Sequence, residues 1–317
     1  MNRRTHVPSL DLRPGDQVPA DVLHALFREA FADYLIGPFE VPLSQWPAFL
    51  ARQGADLGLS RVAFDSQGQA LAFALVAQRP LHRRWRLATM GARPQARGTG
   101  AAAALLDDVL ARAAANGQQA VELEVFAQNE RARRLYESRG FEAVYPLHGW
   151  QADLADLAVG GGTGDKQAAA PQAVDLATAL EWLDAAEHRW PDLPLQVTRA
   201  SLGHLTGGHA WQMRPLQAVE AAVASGTTGT GTSGATAQLI FTLPDETVMV
   251  NSFIAPDPGD AQALLQALAR VYPQRRLRVP QLQRDDLGGQ SLRALGASQM
   301  PLHQLWMQRT LTPDTPR

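Results

Sequence analysis

The residues best suited to chemistry lie in one short run. Gln95-Ala96-Arg97-Gly98-Thr99-Gly100 is followed at once by the helix-forming stretch Ala101–Ala104, Leu105 and Leu106. Glycine adopts positive φ without penalty and lets the backbone come close to a ligand. A helix N-terminus presents N–H groups without intrahelical partners and a partial positive charge. Together these make a cradle for an anion, a phosphate above all, and Arg97 adds a permanent charge with a planar set of donors. An ordinary glycine turn before a helix reads the same way locally. A Walker loop is excluded, because no Lys-Ser/Thr follows the glycines, and the dinucleotide fingerprint fails for want of a third glycine after Gly100.

A second run carries further polar groups. Residues 119–141 read QAVELEVFAQNERARRLYESRGF. Val121, Leu123 and Val125 alternate as in a strand. Asn129 then opens a helix that sets Ala132, Leu135 and Tyr136 on one face and ends at Arg139-Gly140-Phe141.

The two runs, in this order and at this separation, resemble the GNAT superfamily of acyl-CoA-dependent N-acetyltransferases over roughly residues 5–156. The first matches its pyrophosphate loop, (Gln/Arg)-x-x-Gly-x-(Gly/Ala). The second matches a signature in which an Asn opens a helix and a Tyr lies on its inner face. The resemblance implies acetyl-CoA as cosubstrate, with no metal, and an amine acceptor on a small molecule or peptide. It implies that backbone amides of Arg97, Gly98, Thr99, Gly100, Ala101 and Ala102 hold the pyrophosphate. Met90, Gly91 and Ala92 would pair with the pantetheine amides as an added strand does, Asn129 would bond to the cofactor arm, and Tyr136 would be the general acid. A phenol's ordinary pKa of about 10 is of the same order as a thiol's, so proton transfer to a leaving thiolate is feasible. Tyr34, Phe39 and Trp46 are implied acceptor contacts, with plain core packing as the other reading. The strand before the loop, Trp85–Met90, lacks the Glu that many family members carry there. Glu122 and Glu124 share one face of the next strand. Either could act as base through water, with Glu124 the candidate on the acceptor side, and both read equally well as sheet-surface charges.

Periodicity supplies the elements that position these groups. Helices are predicted over 19–31, 42–54, 98–116 and 129–139. Strands are predicted over 5–12, 59–65, 70–78, 85–90, 119–126, 141–147 and 149–156. Residues 159–171, VGGGTGDKQAAAP, read as a linker. The chain therefore divides into 1–158, a catalytic GNAT domain, and 172–317, a degenerate GNAT-like domain. In the second part helices are predicted over 172–189, 215–224, 260–272 and 285–295, and strands over 236–243, 247–254, 276–282 and 302–311, with a low-complexity run at 225–236. The element order repeats, and Asn129 precedes Gly140 by the same separation at which Asp285 precedes Gly296. The expected fold class is α/β (α+β), a tandem pair in which each half is a mixed, mostly antiparallel twisted sheet flanked by helices. An unrelated α+β cap is the alternative for the second part.

Composition limits the rest. At 317 residues the chain has room for two domains. A formal net charge of −2 argues against nucleic-acid binding by bulk charge. The chain has no cysteine, which excludes a cysteine nucleophile, disulfides and thiolate metal sites. The histidines of GHLTGGHAW, His204 and His209, lack metal-ligand spacing. Residues 1–30 have no signal-type apolar core and no run is long enough to cross a membrane, so the expectation is a cytoplasmic protein, possible as a homodimer. Arginine supplies all positive charge but Lys166, which suggests a bacterial source. Besides an N-acetyltransferase, the resemblance accommodates a non-catalytic acyl-CoA-binding regulator and a mycothiol-synthase-like tandem enzyme.

Overall fold

The computed structural model describes residues 10–157, 170–214 and 234–311. The low-complexity run through residue 233 and the predicted helix at 215–224 lie outside the described residues, as does most of the linker. In chain order the first elements are β1 (Asp11–Pro14), α1 (Ala20–Ala30), α2 (Trp46–Arg52), β2 (Ala55–Phe64), β3 (Ala70–Arg79), β4 (Arg84–Ala92), α3 (Ala101–Ala115), β5 (Ala120–Phe126) and α4 (Glu130–Glu137). Then come β6 (Glu142–Asp153), α5 (Leu154–Leu157), β7 (Gln172–Val174), α6 (Leu176–Arg189), α7 (Arg199–Leu202), β8 (His209–Met213), β9 (Ala237–Thr242) and β10 (Thr247–Ile254). The chain closes with α8 (Pro258–Val271), β11 (Arg276–Gln283), α9 (Gly289–Ala294), β12 (Ser298–Gln299) and β13 (Gln304–Thr310).

The chain forms two compact units that do not follow the division expected at 158. One holds the residues up to Val125, Asn129–Val144 and the C-terminal segment from Met307; the other holds Phe126–Gln128 and Tyr145–Trp306. The reason lies in β6. Two strands are predicted around Gly149, but the chain runs through as one strand from Glu142 to Asp153. Gly149 is not a break. A Cβ there would meet the Met300 sulfur at 2.7 Å and Gln281 at 2.9 Å, so the glycine serves a close approach. The strand therefore begins in one unit and ends in the other, and β13 does the same in return.

In the first unit β1, β2, β3 and β4 form an antiparallel meander. The β2–β3 turn is held by the Asp65 carboxylate, which accepts from the N–H groups of Gln67 and Gln69, with Gly68 at φ +78°. β5 joins parallel to β4, which requires a crossover. That crossover is α3, whose inner face is Leu105, Leu106, Val109 and Ala113. β13 lies beside β5, and the Leu311 N–H donates to the Gln119 carbonyl at 2.8 Å. α1 buries Leu23, Leu26, Phe27 and Ala30 at helical spacing, and the Phe27 ring stacks on Phe73 of β3 at 5.0 Å. Each of these buried Leu and Phe side chains contributes about 1.5–3 kcal/mol over its exposed state.

In the second unit β6 pairs antiparallel with β11, β11 parallel with β10, and β9, β8 and β7 follow antiparallel. α8 places Leu264, Leu265 and Leu268 in a core with Phe241, Phe253 and Trp150. The helix predicted from 172 begins at Leu176 instead, because Gln172–Val174 pair with β8 and Asp175 caps the helix, accepting from the Thr178 N–H. Among the described residues no helix is long and apolar enough to cross a membrane.

Because the first unit takes its β5 neighbour from the C-terminal segment, a chain ending at residue 158 leaves a bare strand edge. We expect that fragment to aggregate or to lose cooperative unfolding while the full chain melts cooperatively. Size-exclusion chromatography with a circular-dichroism melt checks this, and a monomeric, cooperatively folded fragment would contradict it.

Candidate active site

The site is built where β4 and β5 part. Their parallel register runs from Arg84↔Ala120 to Arg86↔Glu122, whereas β4 continues to Ala92 and β5 to Phe126. On its other side β4 stays paired with β3 to Ala72↔Ala92, with one register shift that leaves Ala88 as the extra residue. Such a bulge bends the strand. Met90, Gly91 and Ala92 therefore turn a backbone edge toward the gap. Gly91 also lets α1 in close, since a Cβ there would lie 3.0 Å from the Ala30 Cβ and 3.1 Å from the Phe73 ring.

Buried ion pairs mark the point of divergence. The Arg86 guanidinium donates twice to one Glu124 oxygen, at 2.6 and 2.9 Å, and to the Gln53 carbonyl at 3.3 Å. Arg79 meets Glu122 at 2.6 Å and Arg84 reaches the same carboxylate at 3.4 Å. The Glu124 side chain is 2% exposed, so it is neither a surface charge nor a group offered to an acceptor. It holds Arg86. Removing one partner of such a buried pair is expected to destabilise by about 3–5 kcal/mol.

The turn after β4 forms the second wall. The Arg93 N–H donates to the Leu71 carbonyl at 2.9 Å, and Pro94–Ala96 make one tight turn. Gly98 and Gly100 stand at φ +84° and +96°, and a Cβ at either would point into open space. Gly100 is the N-cap of α3, and no side chain caps that helix, so its first N–H groups face outward. Thr99 is tied into the turn: its hydroxyl donates to the Ala96 carbonyl at 2.7 Å and its N–H points to the same oxygen at 3.3 Å. Ala101 is buried. Arg97 is already engaged, donating to both Asp33 oxygens at 2.5 Å and to the Ala30 carbonyl at 3.1 Å. The hydrogen-bonded guanidinium holds the Asp33 carboxyl below its ordinary pKa, and the carboxylate raises that of Arg97 in return.

The third wall is α4. Asn129 caps it, its Oδ1 accepting from the Ala132 N–H at 3.2 Å. One and two turns further on, Ala132, Leu135 and Tyr136 face the gap. Tyr136 is 7% exposed, and burial, with the neighbouring Tyr34 adding to it, pushes its phenol well above the ordinary value. Tyr34 is also raised by burial, against the opposing effect of a hydrogen bond shared with the Asn129 side chain.

Between the walls lies a cleft of about 500 Å³. It brings together Met90, Gly91, Ala92, Arg97, Gly98, Gly100, Ala102, Asn129, Tyr136 and Tyr34. It does not include Phe39 or Trp46. Trp46 is 1% exposed and stacks on Phe49 at 5.3 Å, and Phe39 packs on Phe27 at 4.5 Å, so both belong to the aromatic core under α1. The cleft adds residues that sequence reasoning missed, notably Asp33 and Arg131. Arg131 was within reach, standing next but one to Asn129. Asp33 had no local signal, for its partner is distant in sequence.

The described residues hold no group of His, Asp and Glu arranged for a metal; His209 lies against the Phe241 ring at 5.3 Å. An acyl-CoA fits the cleft chemically. Outward N–H groups and open glycines suit a diphosphate, and a strand edge suits an amide-bearing arm.

In the second unit the corresponding gap is filled from within. β10 and β11 share register from Thr247↔Arg276 to Met249↔Arg278 and then part. The Gln283 side-chain amide donates to the carbonyls of Phe253, Arg284 and Leu287 at 3.2, 3.1 and 2.8 Å. The Ala255 N–H reaches the Leu287 carbonyl. α8 is capped by its own Asp257, which accepts from the Asp260 N–H at 3.0 Å. Leu292 is fully buried.

Residues 20–141 match the model of the acetyltransferase (GNAT) family. No curated protein matches the chain. Among solved structures the fold is similar to a GCN5-related N-acetyltransferase from Kribbella flavida, at 15% identity and a TM-score of 0.59 over 96% of this chain and 72% of that one. It is similar to another from Sphaerobacter thermophilus, at 15% identity and TM-score 0.58 over 95% of each chain. A tandem GNAT protein from the clavulanic acid biosynthesis pathway matches at 15% identity and TM-score 0.57, over 96% of this chain and all of the other, 100%.

The open glycines make a direct test. Valine at Gly98 or Gly100 combines an unfavourable φ with a branched side chain in the space a diphosphate needs. Gly98→Val and Gly100→Val are expected to abolish acetyl-CoA binding in calorimetry, and wild-type affinity in either would remove this turn from the site.

Proposed function

We propose that this chain, whose residues 20–141 match the model of the acetyltransferase (GNAT) family, transfers an acetyl group from acetyl-CoA to a primary amine of a small molecule or peptide. The observation that carries the reading is the uncapped start of α3, with two open glycines, beside the free edge of β4 and across the cleft from Tyr136. Backbone N–H groups of Gly98, Gly100 and the first turn of α3 hold the diphosphate. The edge at Met90–Ala92 takes the amide-bearing arm, which brings the thioester to the divergence of β4 and β5. Asn129 borders the arm.

The acceptor must arrive or become neutral before it attacks the thioester carbonyl, and the departing sulfur then needs a proton or a strong hydrogen bond. Tyr136 supplies it. Burial keeps its phenol protonated well into the alkaline range. The same shift makes full proton transfer to a thiolate uphill, so Tyr136 acts first as a hydrogen-bond donor to the sulfur. The base is not Glu122 or Glu124 directly, because both carboxylates are buried in arginine pairs. An amine that enters neutral forms the C–N bond as the C–S bond breaks, and the proton its nitrogen then loses ends on the departing sulfur, through water or by way of Tyr136.

The second unit serves as scaffold. Gln283 and the Ala255 N–H tie the β10 edge to its own unit, and Asp257 accepts from the Asp260 N–H and sets a carboxylate at the α8 start where a diphosphate would lie. The reading is tested by thiol release from acetyl-CoA against a panel of amines. Binding of acetyl-CoA with no turnover of any amine would favour a sensing role instead.

Tyr136→Phe is expected to lower kcat at least about tenfold with little change in acetyl-CoA affinity, the magnitude typical of a lost general-acid contact. Unchanged kcat, with chemistry shown to limit the rate, would make Tyr136 structural. Calorimetric titration of the full chain should give a single acetyl-CoA site per chain, and two equivalent sites would overturn the scaffold role of the second unit.

A further inference from the structure

The segment after α1 engages both flanks of the cleft with successive residues. Asp33 takes two donors of Arg97 on the glycine-turn side, and the Ala30 carbonyl takes a third contact. Tyr34 bonds to Asn129 on the α4 side. Both partners, Arg97 and Asn129, line the cleft. The Asp33 carboxylate also lies in the cleft wall, close to the uncapped start of α3 where negative charge from a ligand would arrive. A ligand phosphate and Asp33 thus require the same guanidinium and repel one another.

The bridge is built to exchange. The Asp33 side chain is 60% exposed and that of Arg97 26%, and ion pairs so accessible to water are weakly held. A phosphate offers Arg97 the same bidentate geometry with more charge. The segment continues from Tyr34 into a turn closed by the Gly37 N–H on the Tyr34 carbonyl at 2.9 Å, with Leu35 and Ile36 exposed at its corners. Leu35 itself borders the cleft.

We propose that Asp33 is a displaceable counter-charge: the nucleotide phosphates of the acyl donor take Arg97 from it as the donor binds. This rests on the acetyl-CoA reading above.

The sign of one measurement decides it. Asp33→Asn keeps the size of the side chain, removes its charge and sits at an exposed position, so the fold is retained. In calorimetry Asp33→Asn is expected to bind acetyl-CoA more tightly than wild type, up to about fivefold, the range open to an exposed ion pair. S-acetyl-pantetheine, which lacks the nucleotide phosphates, is expected to show no gain. Equal or weaker acetyl-CoA binding by the variant would overturn the proposal and make Asp33 a support that orients Arg97. A gain with both ligands would also overturn it, since phosphate would not be the competitor. Failure of wild type to bind acetyl-CoA at all would instead sink the acetyl-CoA reading and this proposal with it.

Discussion

The start of α3 has N–H groups that the helix cannot satisfy, and its cap residue, Gly100, brings no side chain to them. Backbone donors left in that state seek water or a ligand, and here the surrounding structure leaves room for a ligand. The two glycines before the helix adopt positive φ with nothing over their α-carbons, and Thr99 between them is tied back to Ala96 rather than forward to the helix. The rest of the first unit follows from where this open end must lie. α3 has to cross from the end of β4 to a parallel β5, which puts its N-terminus at the mouth of the gap between those strands.

That gap is itself held open by chemistry and not by a missing strand. Arg86 spans from β4 to Glu124 of β5, two residues beyond the last register pair, and also holds the Gln53 carbonyl. Arg79 and Arg84 share Glu122 at the same level. Five charged side chains within a sheet are tolerable only because every charge meets its opposite. Their placement, at the last point where the strands still pair, makes them a hinge pin for the divergence on which the cleft depends.

The second unit shows the same architecture with the opening closed. Gln283 donates into the β10 edge and to the Leu287 carbonyl, Asp257 occupies the α8 start, and the Phe253 ring packs so near Gly288 that a Cβ there would lie 2.4 Å away. Polar groups satisfied within the protein need no ligand, and a helix end capped by a carboxylate repels phosphate.

The amino-acid sequence by itself determined the local half of this site. Glycine spacing, the apolar periodicity of α3 and the Asn129-to-Tyr136 interval are properties of neighbouring residues, and each was legible because backbone conformation and helix face depend on neighbours. The tertiary structure decided what pairs across distance. It put Asp33 on Arg97, Glu124 on Arg86, and Trp46 with Phe39 in the core beneath α1. It ran β6 unbroken past Gly149, where the sequence pattern suggests two strands. Charge pairing and strand partnership are set by where remote segments meet, and no spacing within one segment records that meeting.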